Sequence, residues 1–126
     1  MAQTMEQKRA AHAWKVTQGR GSEYTNLAKG LPMLIMQSGL MQTLAFLQEK
    51  GSKSSQAHCK ILAEHLREWL SSQFSKVVPN SEFSYFMEGL MNAKTLDYQL
   101  INAEAYAWLR WVRQISSAVN IKVKEK

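Results

Sequence analysis

Cysteine, proline and glycine are all scarce in this chain of 126 residues, with one, two and six copies respectively, and each scarcity excludes something. The single cysteine, Cys59, leaves no internal disulfide, no CxxC metal knuckle and no redox pair, and it suits a reducing cytoplasm. So few turn-forming residues exclude a β-sandwich or barrel, which needs a turn signal every ten residues or so. The first twenty residues carry Glu6, Lys8, Arg9, Lys15 and Arg20 with no apolar run between them, so no signal peptide can be drawn there. The stretch from Leu31 to Gln48 is uncharged, but Gln37, Ser38, Gln42 and Thr43 interrupt it, as in a buried helix of a soluble protein rather than a membrane span.

Chemistry-bearing motifs are missing as well. There is no HExxH, no carboxylate cluster and no GxSxG elbow. His58 and His65 share a helix face, while Cys59 sits about 100° round from it, so one ion cannot easily collect all three. Gly19-Arg20-Gly21 is no phosphate loop, because Tyr24 fills the third glycine position of GxGxxG and no strand precedes it. We therefore expect no metal, no cofactor and no catalytic residue, with Cys59 a small hydrophobe on an apolar stripe.

Hydrophobic residues make up 45% of the chain and charged residues 21%, an ordinary globular balance. The pattern predicts an all-α protein, a single compact bundle of about five to six helices over residues 1–126, with 119–126 a frayed tail. A first helix runs from Gln3 to Gln18, with Ala10, Ala13 and Trp14 on its apolar side and Lys8, His12 and Lys15 opposite. Ser22 caps a short second helix that Gly30 ends. Leu31-Pro32 opens a third, apolar around nearly its whole circumference and closed by Gly51, which belongs at the centre.

A serine within 51–55 caps a fourth helix, reaching about Phe74. Its stripe of Cys59, Leu62, Leu66, Trp69 and Leu70 faces away from Lys60, Glu64, Arg67 and Ser71, and His58 and His65 flank Trp69. A short fifth helix carries Phe83, Phe86 and Leu90. Thr95 caps the last, whose polar arc holds Gln99, Asn102, Tyr106, Arg110, Arg113 and Ser117, and which pairs with the third.

Sixteen Lys and Arg against ten Asp and Glu give a formal charge of +6, which attracts polyanions. Lys8, Arg9 and Lys15 cluster on the first helix and Arg110 and Arg113 on the last. These are either nucleic-acid-facing surfaces or merely solvated ones. Glu104 falls inside an apolar arc between Trp108 and Trp111 and needs a basic partner, Lys8 or Arg9 being the nearest candidates. Gly39 costs roughly 1 kcal/mol inside a helix, a cost offset by close approach of a neighbouring helix of this chain or another.

The order of these segments is itself informative: Glu6-Gln7-Lys8-Arg9-Ala10, Leu31-Pro32, Ile35, Gln37-Ser38-Gly39-Leu40, Thr43-Leu44-Ala45-Phe46, Glu104-Ala105 and Trp108-Leu109. In this order and spacing the chain resembles the small helical subunit of the type III-B CRISPR effector, the RAMP-module or Cmr complex. The resemblance implies a nuclease-free subunit in antiviral defence, present in several copies beside backbone subunits that hold guide RNA and cleave target RNA. Its partners would be other Cmr subunits, copies of itself, and the phosphates of guide and target RNA, with no membrane. Lys8, Arg9, Lys15, Arg110 and Arg113 would face nucleic acid, Gln37 and Gly39 an assembly interface. The alternative expectation is a stand-alone adaptor or regulatory bundle that binds protein partners through Gln37, Gly39 and the helix ends, without RNA.

Overall fold

Helix α1 (Met5–Thr17) starts on a reciprocal cap: Thr4 Oγ1 accepts from the Gln7 amide at 3.1 Å, and Gln7 Oε1 accepts from the Thr4 amide at 2.8 Å. Glu6 in its first turn and Lys15 in its last suit the helix dipole. The computed structural model describes residues 2–120, in which α2 (Ser22–Gly51), a 3-10 turn at Ser54–Gln56, α3 (Ala57–Gln73), α4 (Phe83–Met91) and α5 (Thr95–Val119) follow. Among the described residues there is no strand. The caps expected of Ser22, the loop serines and Thr95 do not form. Gly21, Gln56 and Lys94 hold the N-cap positions without a side-chain bond. Ser22 and Thr95 are already the first residues of their helices, one position past where a side chain reaches back to the free amides.

The helix boundary expected at Gly30 is the largest correction. The helix runs through Gly30 and Pro32 because Tyr24, Ala28, Leu31 and Ile35 form one buried face, and that packing overrides a glycine and a missing amide. The break comes at Gly39, whose φ of 82° and ψ of 166° lie in a region essentially reserved for glycine. A straight helix of this length would part its ends by about 40 Å. Instead Glu23 Oε1 lies 3.9 Å from His58 Nδ1, and a Cβ on Gly51 would stand 2.7 Å from the Lys60 amide nitrogen, so both ends reach the start of α3. Residues 40–51 therefore fold back beside residues 22–38. Gly51 must be glycine for α3 to come so close.

The reversal exposes amides at the start of the second half, and α5 receives them. Leu40 N–H donates to Asn102 Oδ1 at 2.8 Å and Met41 N–H to the Tyr98 hydroxyl at 3.4 Å, while Thr43 Oγ1 donates to the Gly39 carbonyl at 2.8 Å. Gly39's close neighbour is thus α5 of the same chain, with Tyr98 Oη 3.5 Å from where a Cβ would stand. By length and composition α2 could cross a membrane. Its reversal, and the burial of Leu31, Ile35, Leu40, Leu44 and Leu47, mark it as a core element. It is not apolar packing all round, however, since Met33, Met36 and Phe46 are exposed.

At the other end, Thr25 Oγ1 and Ser116 Oγ lie 2.9 Å apart, and Asn120 Nδ2 reaches the Thr17 carbonyl, Thr25 Oγ1 and Ser116 Oγ. This buried cluster ties α1, α2 and α5 together. It also corrects the expected tail: Val119 closes α5 and Asn120 is buried, while 121–126 lie outside the described residues. Arg67, expected on the outer face of α3, is buried too. Its Nε donates to the Ser81 carbonyl at 2.7 Å and its guanidinium lies 5.8 Å from the Phe83 ring centre, pinning the segment between α3 and α4.

The two glycines make opposite predictions. Gly39→Ala should lose about 1–3 kcal/mol in urea denaturation, because alanine cannot hold that backbone without strain. Gly30→Ala lies in a helix with nothing within 4 Å of the new methyl and should be neutral or gain up to about 1 kcal/mol. Equal effects at the two positions would contradict the reversal at Gly39.

Candidate nucleic-acid interface

Glu104 is buried on α5, and a carboxylate there needs charged or hydrogen-bonding partners. It has three donors: Arg9 Nε at 2.6 Å, Arg9 Nη2 at 2.7 Å and Trp69 Nε1 at 3.0 Å. The paired geometry from Arg9 is the strong, oriented form of the ion pair. Hydrogen bonding to Glu104 raises the Arg9 pKa above its ordinary value, against a smaller opposing effect of burial. Of the two partners expected for Glu104, the structure brings it Arg9.

Drawing Arg9 inward rotates α1 from the orientation expected. His12, expected on the outer basic side, turns in: Trp108 Nε1 donates to its Nδ1 at 3.0 Å, and its ring centre lies 5.1 Å from that of Trp69. Nδ1 is then an acceptor and the ring neutral, in keeping with a pKa lowered by burial and by Lys15. Trp14, expected on the apolar side, is 55% exposed, while Ala13 and Val16 fill the interface.

His65 also departs from its expected place beside Trp69. Arg20 Nη2 approaches its Nε2 at 3.4 Å and the Tyr24 hydroxyl its Nδ1 at 3.0 Å. Arginine can only donate, so Nε2 is bare and Nδ1 carries the proton. Burial, then the charges of Arg20 and Lys15, push its pKa down to about 4. Cys59 is a buried free cysteine, its thiol held above the ordinary value by burial. Among the described residues no group of three or more His, Cys, Asp or Glu is placed to hold a metal.

Contacts 9–104, 12–108 and 17–120 set α1 parallel to α5. An open groove of about 530 Å³ runs between them, lined by Glu6 and Arg9 from α1 and by Ala107, Arg110, Trp111, Arg113 and Gln114 from α5. Three of the five expected nucleic-acid residues thus meet in one place. Within it Arg9 is paired with Glu104 and is only a quarter exposed, whereas Arg110 and Arg113 are exposed, Arg110 lying 5.8 Å from the Tyr106 ring centre. Lys8 and Lys15 are exposed but do not line the groove. Lys15 instead acts on His12 and His65, toward the α3 side.

Gln37 is exposed, with Met33 and Met36 at helical spacing beside it. Leu96 and Leu100 are exposed on α5. The groove residues not expected from the sequence are Trp111, Glu6 and Gln114. Their signal was available only from the parallel pairing of α1 with α5, since neither helix alone shows a groove.

Glu104→Gln breaks a buried pair and leaves Arg9 without its counter-charge. It should cost roughly 3 kcal/mol, toward the low end for such pairs because Arg9 is partly solvated, with a fall in Tm on the order of 10 °C. An unchanged Tm would show that the pair does not hold α1. Acid should also destabilise the fold. A histidine near 4 in the folded state and about 6.5 unfolded binds its proton preferentially when unfolded, so its contribution is intact above pH 6.5 and is lost as the pH falls toward 4. Thermal melts across that window should slope downward, and His65→Gln should flatten them. A slope indifferent to His65 would assign the acid sensitivity elsewhere.

Comparison with known proteins agrees with this fold. The family model for CRISPR-associated protein (Cas_Cmr5) matches residues 5–119. The chain is 28% identical over 102 residues to the CRISPR system Cmr subunit Cmr5 of Thermus thermophilus, spanning 81% of this chain and 78% of that protein. The crystal structure of a CRISPR-associated Cmr5 family protein from the same organism superimposes with a TM-score of 0.67 at 27% identity, covering 90% of this chain and 91% of that one. The chain, an all-α bundle from α1 through the end of α5, belongs to the Cmr5 family and is a small helical subunit of the type III-B Cmr system.

Proposed function

We propose that the chain is a non-catalytic, cytoplasmic subunit of the RNA-guided, RNA-targeting Cmr effector, packing along its guide and target RNA channel in antiviral defence. The observation that carries this is the groove between α1 and α5, where Arg110 and Arg113 stand exposed on an open wall in a chain of the Cmr5 family. Exposed arginines on one rigid helix suit contact with phosphates, which fixes register without reading sequence. Lys8 and Lys15 extend the positive surface on the far side of α1. Arg9 contributes by holding α1 in place through Glu104.

Assembly with other Cmr subunits and with copies of itself would use surface that the fold leaves uncovered. The exposed Met33, Met36 and Gln37 form one candidate, an apolar face edged by an amide. Gly39 acts there indirectly, by setting the reversal that ends this face.

Charge reversal at Arg110 and Arg113 tests the phosphate role. Arg9 is unsuitable for the same treatment, since Arg9→Glu would set two carboxylates together and disturb the fold. In the assembled complex the double reversal should weaken RNA retention and reduce the dependence of log K on log salt by about one unit per lost contact. The Lys8 and Lys15 reversal should act in the same direction. Retention and slope unchanged by both would count against an RNA-facing role. Purifying the tagged chain from its own cells separates the stand-alone adaptor: a Cmr subunit brings guide RNA and the other subunits, an adaptor brings protein without guide RNA.

A further inference from the structure

The groove between α1 and α5 carries more than positive charge. Trp111 lies in its wall beside Arg110 and Gln114. Trp14 is more than half exposed on α1, two turns beyond Glu6 along the row Glu6, Ala10, Trp14, so it flanks the groove on the side Glu6 lines. Its exposure has no account within the fold. The interface beneath it is filled by Ala13 and Val16, and the fold's other three tryptophans are at least partly packed on the core.

We infer that the groove is a stacking site for unpaired nucleotides, in which a base lies against Trp14 and Trp111 while Arg110 and Arg113 hold the adjoining phosphates. This rests on the phosphate-binding reading above and narrows its substrate to single-stranded RNA. An indole face offers stacking to any base, and a flanking arginine adds charge for the backbone, which is how sequence-tolerant single-strand sites are built. A base inside a duplex has both faces occupied and cannot reach an indole. The cavity of about 530 Å³ has room for such a group.

Charge within the groove fits a polarised arrangement. Glu6 at one end repels phosphate, and Arg9 beside it is neutralised by Glu104. The unneutralised arginines, Arg110 and Arg113, lie farther along α5 with Gln114. Phosphates belong beside Arg110 and Arg113, at the level where Trp111 and Trp14 receive the base, and Glu6 marks the end that repels them. A uniformly basic channel would not make this distinction.

The test uses the full chain with a 20-nucleotide oligouridylate as single strand and, separately, the same strand paired with oligoadenylate. Binding is followed at several salt concentrations. The single strand should bind roughly tenfold or more tightly than the duplex, and Trp14→Ala should remove most of that advantage without altering the salt slope. Trp14→Phe, which keeps an aromatic face, should retain most of it. Ultraviolet cross-linking should put an adduct on the tryptic fragment 10–15, which contains Trp14. A preference untouched by Trp14→Ala, or a duplex bound as tightly as the strand, would overturn stacking. If Arg110 and Arg113 substitutions still lowered affinity and slope, the phosphate reading would stand without it. Binding of neither form, by the parent or any variant, would overturn both.

Discussion

A single buried carboxylate organises the half of the molecule that faces the groove. Glu104 on α5 binds Arg9 of α1 and Trp69 of α3, so three helices meet at two oxygens. Removing a carboxylate from water is expensive, and that expense makes the arrangement specific: only a rotation of α1 that delivers a guanidinium satisfies it. With Arg9 committed, His12 one turn on must face Trp69 and Trp108, and Trp14 must face out. The groove is therefore a consequence of the ion pair. If α1 turned to bury Trp14, Glu104 would lose its partner and the wall formed by Glu6 and Arg9 would move.

The same dependence explains what could be seen in the sequence. Glu104 announced itself as a charge in an apolar arc, and Arg9 was one of the two first-helix cations expected to pair with it. The rotation of α1 did not follow, although it was implicit in that pairing. The short helix has Ala10, Ala13 and Trp14 on one side, and hydrophobic periodicity alone puts the largest of them inside. Ala13 and Val16 suffice for the contact, and the energy of satisfying Glu104 decides the rest. Similarly, Arg67 looked like a solvated residue of a clean amphipathic helix. Its burial depends on the Ser81 carbonyl, from the irregular segment before α4, and on Phe83 at the start of that helix, neither of which the pattern of α3 alone reveals.

The doubling back of α2 was half legible. Gly39 stood out as costly inside a helix, and the reason offered, close approach of a neighbour, is satisfied by Tyr98 and Asn102. Gly30 and Pro32 looked the stronger break because local signals there are additive. What local signals omit is the fate of the freed amides. At Gly39 two side chains of α5 receive them. A break occurs where its backbone groups can be satisfied, and that partner lies some sixty positions away in sequence.

Net charge illustrates the difference between composition and surface. A formal +6 treats all sixteen cationic side chains alike. In the folded chain Arg9 is neutralised by Glu104, Arg67 is buried against a carbonyl, and Arg20 donates to the Val16 carbonyl and approaches His65. These arginines act as rigid, multi-donor struts, a use for which lysine's single ammonium is poorly suited. The potential outside the protein then depends on the residues left over, among them Arg110 and Arg113. Two charges fixed on neighbouring turns of one well-packed helix constrain where successive phosphates can sit more closely than a larger number of mobile lysines would, since their positions are set by the core beneath them.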